Sequence, residues 1–326
     1  MRGFSIDQVE YNAQRVLIIA ELGTSHGGDP GKARELIAAA AEAGAGCVKV
    51  QIVYAREILH PNTGRVPLPG GSLNLYRRFR ELELDPDFYA ELRDQVESRG
   101  LLFLATPFGL QSARELRALG PRAIKVASPE LNYTALLREL ASYGLPVFLS
   151  SGVSKLGDIE EALGFFPPRR VCLLHCVTAY PAPAEDYNLR ILPNLGGIFG
   201  TALGLSDHSL DPELVPALGT ALGAAAVEKH FCLSRDDPGL DDPIALPPGD
   251  FARMVRAIRR VSAMGSEAAL EALARERGTE LVRAVLGDGV KRLAPSEAAN
   301  YERTNRSIHA VRDIRAGETI TPGDMA

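Results

Sequence analysis

The sequence predicts an α/β fold of one kind, a (β/α)8 (TIM) barrel, in which eight parallel strands form a ring and helices cover its outside. Three observations predict it. Eight short runs rich in Val, Ile and Leu recur with amphipathic segments between them. The runs are almost continuously apolar, as strands buried on both faces must be. Run after run starts apolar and finishes polar, and in a barrel those finishing residues gather at the C-terminal face, where the sites of such folds lie.

In order, the runs are "RVLIIAE" from Arg15, "GCVKVQ" from Gly46, "LLFLAT" from Leu101, "AIKVAS" from Ala123, "PVFLSS" from Pro146, "VCLLHC" from Val171, "ALGLSD" from Ala202 and "AAVEKH" from Ala225. The segments between them read as helices; "PGKARELIAAAAEAG" carries Pro30 near its start and Gly44 at its end, the usual asymmetry of helix termini. The polar finishing residues are Glu21, Lys49 with Gln51, Thr106, Lys125 with Ser128, Ser150 with Ser151, His175, Ser206-Asp207-His208, and Glu228 with His230. A doubly wound open sheet competes, but the count of eight and these endings favour the barrel. The expected organisation is a barrel over 1–264 with a short N-terminal extension, a linker over 265–304 that is helical in parts, and the start of a small β module over 305–326.

Composition narrows the function. With 46% hydrophobic residues the 326-residue chain can bury a large core, and 36 basic against 41 acidic residues leave no polycationic surface for nucleic acid. No apolar run reaches the ~18 to 20 residues of a membrane span, and "MRGFSIDQVEY" lacks the apolar centre of a signal peptide. A cytoplasmic protein without a membrane partner is expected. Cys47, Cys172, Cys176 and Cys232 sit in apolar segments without metal-ligand spacing and read as reduced core thiols.

The candidate chemistry sits at the strand ends. "AVEKHF" interrupts an apolar run with three ionisable residues, which is costly unless they are paired or bound. His208 and His230 end consecutive strands and could meet over the barrel mouth. Two neutral imidazoles with oxygen ligands suit a divalent ion such as Mn2+, Zn2+ or Fe2+, and spacing alone fits equally a pair of hydrogen-bonded surface histidines. Glu228 shares the parity of His230, while Lys229 faces the other way, as a helix-side or rim charge. Lys49 and Lys125 lie inside strands and favour an anion, with Thr106, Ser128, Ser150 and Ser206 as hydroxyl donors. The competing arrangement pairs the two lysines with Glu21 and Glu130.

"IIAELGTSHGGD", "VKVQ", "ATPF", "IKVASPE", "LLHCVTAYPAP", "GLSDHS" and "VEKHF" followed by "DDPGLD" resemble, in order and spacing, the motifs of the N-acetylneuraminate (sialic acid) synthase family. Related nonulosonic acid synthases and spore coat polysaccharide biosynthesis proteins belong with it. The resemblance runs over most of 16–264. It implies a barrel that condenses phosphoenolpyruvate with an N-acetylated aminosugar and releases phosphate, acting as a homodimer with a divalent metal, Mn2+ or Mg2+. It further implies His208 and His230 as metal ligands, and Lys49, Thr106, Lys125, Ser128, Ser150 and Ser206 as the phosphoenolpyruvate site. Gln51, Glu130 and Tyr180 fall at the sugar, and Glu21, Glu228 and Asp241 at the proton transfers. A metal-dependent hydrolase or isomerase, or a non-catalytic sugar-binding homologue, are the rival readings.

The chain departs from the family's pattern at Ile52, at Thr178 and at Asp242-Pro243. "RSIHAVRDIRAGETITPGDM" resembles the opening of the family's antifreeze-protein-like (SAF) domain, which reaches into the partner's site. The arginine that domain supplies is expected to lie past Ala326, with Arg56 or Arg65 of "YAREILHPNTGRVPLPGG" as substitutes.

Overall fold

A computed structural model describes residues 3–68 and 71–325; Met1, Arg2, Pro69, Gly70 and Ala326 lie outside the described residues. The chain opens with a hairpin, β1 (Phe4–Ile6) and β2 (Val9–Tyr11), followed by β3 (Leu17–Gly23) and β4 (Cys47–Ile52). A second small hairpin is formed by β5 (Val66–Leu68) and β6 (Gly71–Leu73). Then come β7 (Leu102–Pro107), β8 (Ile124–Val126), β9 (Val147–Ser150), β10 (Val171–Cys176), β11 (Ala202–Asp207) and β12 (Ala226–His230). All eight runs read from the sequence form strands. They make one parallel sheet in the order β7-β4-β3-β12-β11-β10-β9-β8, and its two outer strands are neighbours, so the barrel is nearly closed.

Alternation along each strand divides the core in two. Leu17, Ile19, Cys47, Leu102, Leu104, Phe148, Cys172 and Leu174 fill the barrel interior, while Ile18, Val48, Val50, Phe103 and Leu173 pack under the helices. The interior layer is sealed from below by the hairpin β1–β2: Phe4 and Ile6 join it, and Phe4 meets Phe148 edge to face with centroids 4.9 Å apart. This plug was read only as a short extension. Its signal is the alternation Phe-Ser-Ile and Val-Glu-Tyr around Asp7-Gln8, a tight turn in which both residues have positive φ. The four cysteines are free and buried. Among the described residues no helix is long and apolar enough to cross a membrane.

Two expectations need correction. Residues 265–304 are not a linker, because helices Ser266–Arg277 and Thr279–Leu286 bury Ala269, Leu273, Val282, Val285 and Leu286 in the main core. Their charges are numerous but lie on the outer faces, which hid the apolar stripe. The β segments expected over 305–326 amount, among the described residues, to one isolated bridge, Ala310 with Met325, and a short turn Pro322–Asp324. Ile308, Val311 and Ile320 are exposed.

Not every polar strand ending faces the mouth. His175, Asp207 and Lys229 have the outward parity and point under the helices. His175 Nε2 donates to the Tyr187 carbonyl at 2.6 Å, and Lys229 Nζ pairs with Asp207 Oδ2 at 2.6 Å. Lys229 is therefore helix-side, as its parity predicts, but it is fully buried and ion-paired rather than a rim charge.

Candidate active site at the barrel mouth

Strand register sets the site. It places Glu21 beside both Lys49 and His230, Gln51 beside Thr106, Ser206 beside Glu228, and Ser150 beside Leu174. A bulge at the end of β3 follows Glu21, and Gly23 there has φ +53°, a conformation that favours glycine. A Cβ at Gly23 would lie in van der Waals contact with Asp241, Gln51 and Glu21, 3.4 to 3.6 Å away.

The floor is an ionic cluster. Lys49 Nζ lies 3.2 Å from Glu21 Oε2 and 3.2 Å from Glu228 Oε1, and Lys125 Nζ lies 3.2 Å from the same Glu228 oxygen. Ser206 Oγ donates to that oxygen as well, at 3.1 Å, and Lys49 reaches Thr106 Oγ1 at 3.4 Å. The lysines are thus paired, in part as the competing arrangement expected. Lys49 does pair with Glu21, but Lys125 pairs with Glu228 rather than Glu130, because β12 brings its glutamate into the centre of the barrel. Desolvation opposes every charge here. The carboxylates outweigh it at Lys49, whose pKa is raised; burial wins at Lys125, whose pKa is lowered despite Glu228. Glu228 is held well below the usual carboxylate range because the two lysines overcome its desolvation.

Beside β9 lies a ring of hydroxyls. Gly152 N donates to Ser128 Oγ at 3.0 Å, and a Cβ on Gly152 would fall 2.2 Å from Thr178 Oγ1, so only glycine fits between these groups. The buried Ser150 Oγ and Thr178 Oγ1, together with Glu228 Oε2 and Glu130 Oε2, have no hydrogen-bond partner among the described residues. Buried polar atoms normally have one, and four at one barrel mouth point to a polar ligand.

Above the floor, the rings of His208 and His230 stand 5.5 Å apart, and Tyr180 stacks on His208 at 4.2 Å. The Val177 carbonyl can only accept, so His208 Nδ1, 2.8 Å away, carries the proton and leaves Nε2 as a lone-pair donor. Burial is the first cause holding both imidazoles neutral: the His230 pKa is pushed down to about 3 and that of His208 is lowered. Asp241 Oδ2 lies 3.9 Å from His230 Nδ1. Neutral, oriented imidazoles beside carboxylates fit a divalent ion. Among the described residues no group of three or more His, Cys, Asp or Glu side chains is gathered around one point.

The outer rim holds a residue that sequence reasoning missed. Arg306 Nη2 donates to Glu130 Oε1 at 2.7 Å and to the Phe108 carbonyl at 2.9 Å, and Nη1 donates to the Ile58 carbonyl at 2.6 Å. Asn132 clamps its backbone through two bonds of 3.0 Å. The C-terminal segment therefore brings an arginine of its own chain to the barrel mouth. The first residue of "RSIHAV" was its signal. Arg56 and Arg65 bond instead to Gln111 and Ser72. The remaining expected residues, Gln51 included, do converge: Gln51 Nε2 donates to Glu21 Oε1 at 2.8 Å.

Comparison with known proteins adds to this geometry. The sequence model of the NeuB family matches residues 36–269. Over 321 residues the chain is 31% identical to an N,N'-diacetyllegionaminic acid synthase from Campylobacter jejuni, covering 96% of this chain and 90% of that protein. The crystal structure of spore coat polysaccharide biosynthesis protein SpsE from Bacillus subtilis superposes with a TM-score of 0.81 at 30% identity, covering 100% of this chain and 88% of that one. An N-acetylneuraminic acid (sialic acid) synthetase from Leptospira borgpetersenii, solved in complex with citrate, gives 0.74 at 28% identity, covering 93% of this chain and 96% of that one.

Proposed function

The chain belongs to the NeuB family, and from that premise we propose that it condenses phosphoenolpyruvate with an N-acetylated aminosugar of the N-acetylmannosamine kind, giving a sialic-acid-type nonulosonic acid and phosphate. The observation that carries this reading is the division of one mouth into two unlike halves: a floor of two buried lysines ringed by hydroxyls, and a rim of carboxylates with an aromatic ring. The first suits the anionic groups of phosphoenolpyruvate, the second a neutral, hydroxyl-rich sugar.

In this proposal Lys49, Lys125, Thr106, Ser128, Ser150 and Ser206 hold the phosphate and carboxylate. Gln51, Glu130 and Tyr180 orient the sugar, with Arg306 fixing the Glu130 carboxylate. Holding the two reactants face to face removes much of the entropy barrier to joining C3 of phosphoenolpyruvate to the aldehyde carbon. Water adds at C2 and loses a proton to a carboxylate, for which Glu21, Glu228 and Asp241 are the candidates; phosphate then departs. His208 and His230 would hold a divalent ion, Mn2+ or Mg2+, which supplies Lewis-acid polarisation of a carbonyl oxygen.

The direct test follows phosphate release from phosphoenolpyruvate with and without N-acetylmannosamine or a 2,4-diacetamido sugar. Release that requires the sugar, with formation of a 2-keto acid, is expected. Equal release without any sugar would point to a hydrolase, and binding without turnover to a non-catalytic homologue. For the metal, His208→Ala is expected to purify folded but without stoichiometric divalent ion by elemental analysis. Undiminished metal in that variant would remove His208 from the ligand set.

A further inference from the structure

Glu297 lies far outside the barrel strands in sequence, yet it is only 1% exposed. Its Oε2 accepts from Val153 N at 2.9 Å and from Thr178 N at 2.8 Å, and its Oε1 accepts from Ala294 N at 3.2 Å. Val153 and Thr178 belong to the loops that follow β9 and β10, and both loops border the hydroxyl ring at the mouth. One carboxylate oxygen thus ties two separate loops together from behind.

The neighbours of Glu297 reinforce the same grip. Asn300 Nδ2 donates to the Thr178 carbonyl at 3.0 Å, and Lys291 Nζ approaches the Ser151 carbonyl at 3.5 Å. The segment 291–300 therefore braces the loop 151–153 and the residue Thr178. What it holds would not stay there unaided: Val153 is β-branched, yet its φ is +43°, in the left-handed region that such residues avoid. Next to it, Gly152 N makes the bond that sets Ser128 Oγ. If Val153 relaxed, Gly152 would swing and the ring of Ser128, Ser150 and Thr178 would open.

We propose that Glu297 is a positioning residue for the phosphoenolpyruvate site: by fixing Val153 and Thr178 through their backbone N–H groups, it holds the anion-binding hydroxyls in register without touching the ligand. This rests on the reading of the mouth as a phosphoenolpyruvate site. It makes the C-terminal segment part of the binding machinery of the barrel.

Three variants test it by calorimetric titration of the full chain with phosphoenolpyruvate, alongside thermal melts. Glu297→Ala removes the acceptor, and Glu297→Asp withdraws it by one methylene. Either should raise the dissociation constant by about tenfold or more, as small misplacements at reacting sites do. The Michaelis constant for the sugar should stay within about twofold. Glu297→Gln keeps a carbonyl oxygen for the N–H groups of Val153 and Thr178, giving up only the bond from Ala294 N, and should keep affinity within about threefold. If the alanine variant does not fold, the contrast between Asp and Gln carries the test. Loss of thermal stability with unchanged affinity in the folded Asp variant would overturn the proposal, as would equal loss of affinity in Asp and Gln. Failure of the unsubstituted protein to bind phosphoenolpyruvate would instead overturn the reading of the mouth, and the positioning role with it.

Discussion

Replacing Lys49 by Met is expected to destabilise the barrel by about 3 to 5 kcal/mol, the usual cost of removing one partner from a buried ion cluster. Lys49 stands between Glu21 and Glu228, 3.2 Å from each. Without it two buried carboxylates share the single cation of Lys125. The same change removes half of the cationic floor, and phosphoenolpyruvate affinity should fall by about a hundredfold or more, since truncating a buried hydrogen-bonded charge costs about 2 to 5 kcal/mol in binding. The double variant Lys49→Met with Glu21→Gln separates the two effects, because it keeps the Lys125–Glu228 pair. It leaves one lysine and one glutamate, so chemical denaturation should show most of the lost stability restored while titration still shows weak binding. If Lys49→Met alone melted like the unsubstituted protein, the cluster would not be energetically coupled. If it bound phosphoenolpyruvate normally, the floor would have been assigned to the wrong ligand.

Acid should weaken the fold steeply below pH 6.5, through buried histidines besides the mouth's imidazole pair. Burial, aided by Lys32, pushes the pKa of His26 down to about 4; burial, aided by Lys291 and opposed by the bond to Tyr187, pushes that of His175 down to about 3. Between those values and 6.5 the unfolded chain binds protons at these imidazoles and the folded chain does not. Their contribution is therefore fully present above pH 6.5 and is lost as the pH falls toward the folded values. At about 1.4 kcal/mol per pH unit for each, the pair should lower stability by about 5 kcal/mol at pH 4.5. Urea unfolding at several pH values measures the slope. His175→Gln should reduce the slope by about 1.4 kcal/mol per pH unit, the share of one titrating imidazole. A slope unaffected by that change would show that other groups drive acid unfolding.

Much of the barrel was legible because its strands are local. Each is a short apolar run whose burial on two faces shows in composition alone, and parity within a strand correctly put Glu228 on the side of His230 and Lys229 on the other. The candidate residues at the mouth were legible for the same reason: polar groups at the ends of apolar strands are expensive there, so their presence marks a site. The hairpin Phe4–Tyr11 and the helices of 266–286 were harder to see, since a three-residue strand and a charged helix reveal their apolar faces only against the surface they cover.

The sequence by itself determined the eight strands and most of the side chains that meet at the mouth, because these follow from alternation within short segments; His175 and Asp207 turn outward instead, and Arg306 enters from the C-terminal segment. Which charge faces which was decided only by tertiary structure. Lys125 could have paired with Glu130, five residues away, but the barrel's curvature brings Glu228 from a strand a hundred residues on to within 3.2 Å. Glu130 is left for Arg306, and Glu297 reaches back from the C-terminal segment to hold the loops at Val153 and Thr178. Partners that distant in sequence leave no periodic trace, since what selects them is the closure of the ring and the desolvation cost of leaving a buried charge or N–H unpaired.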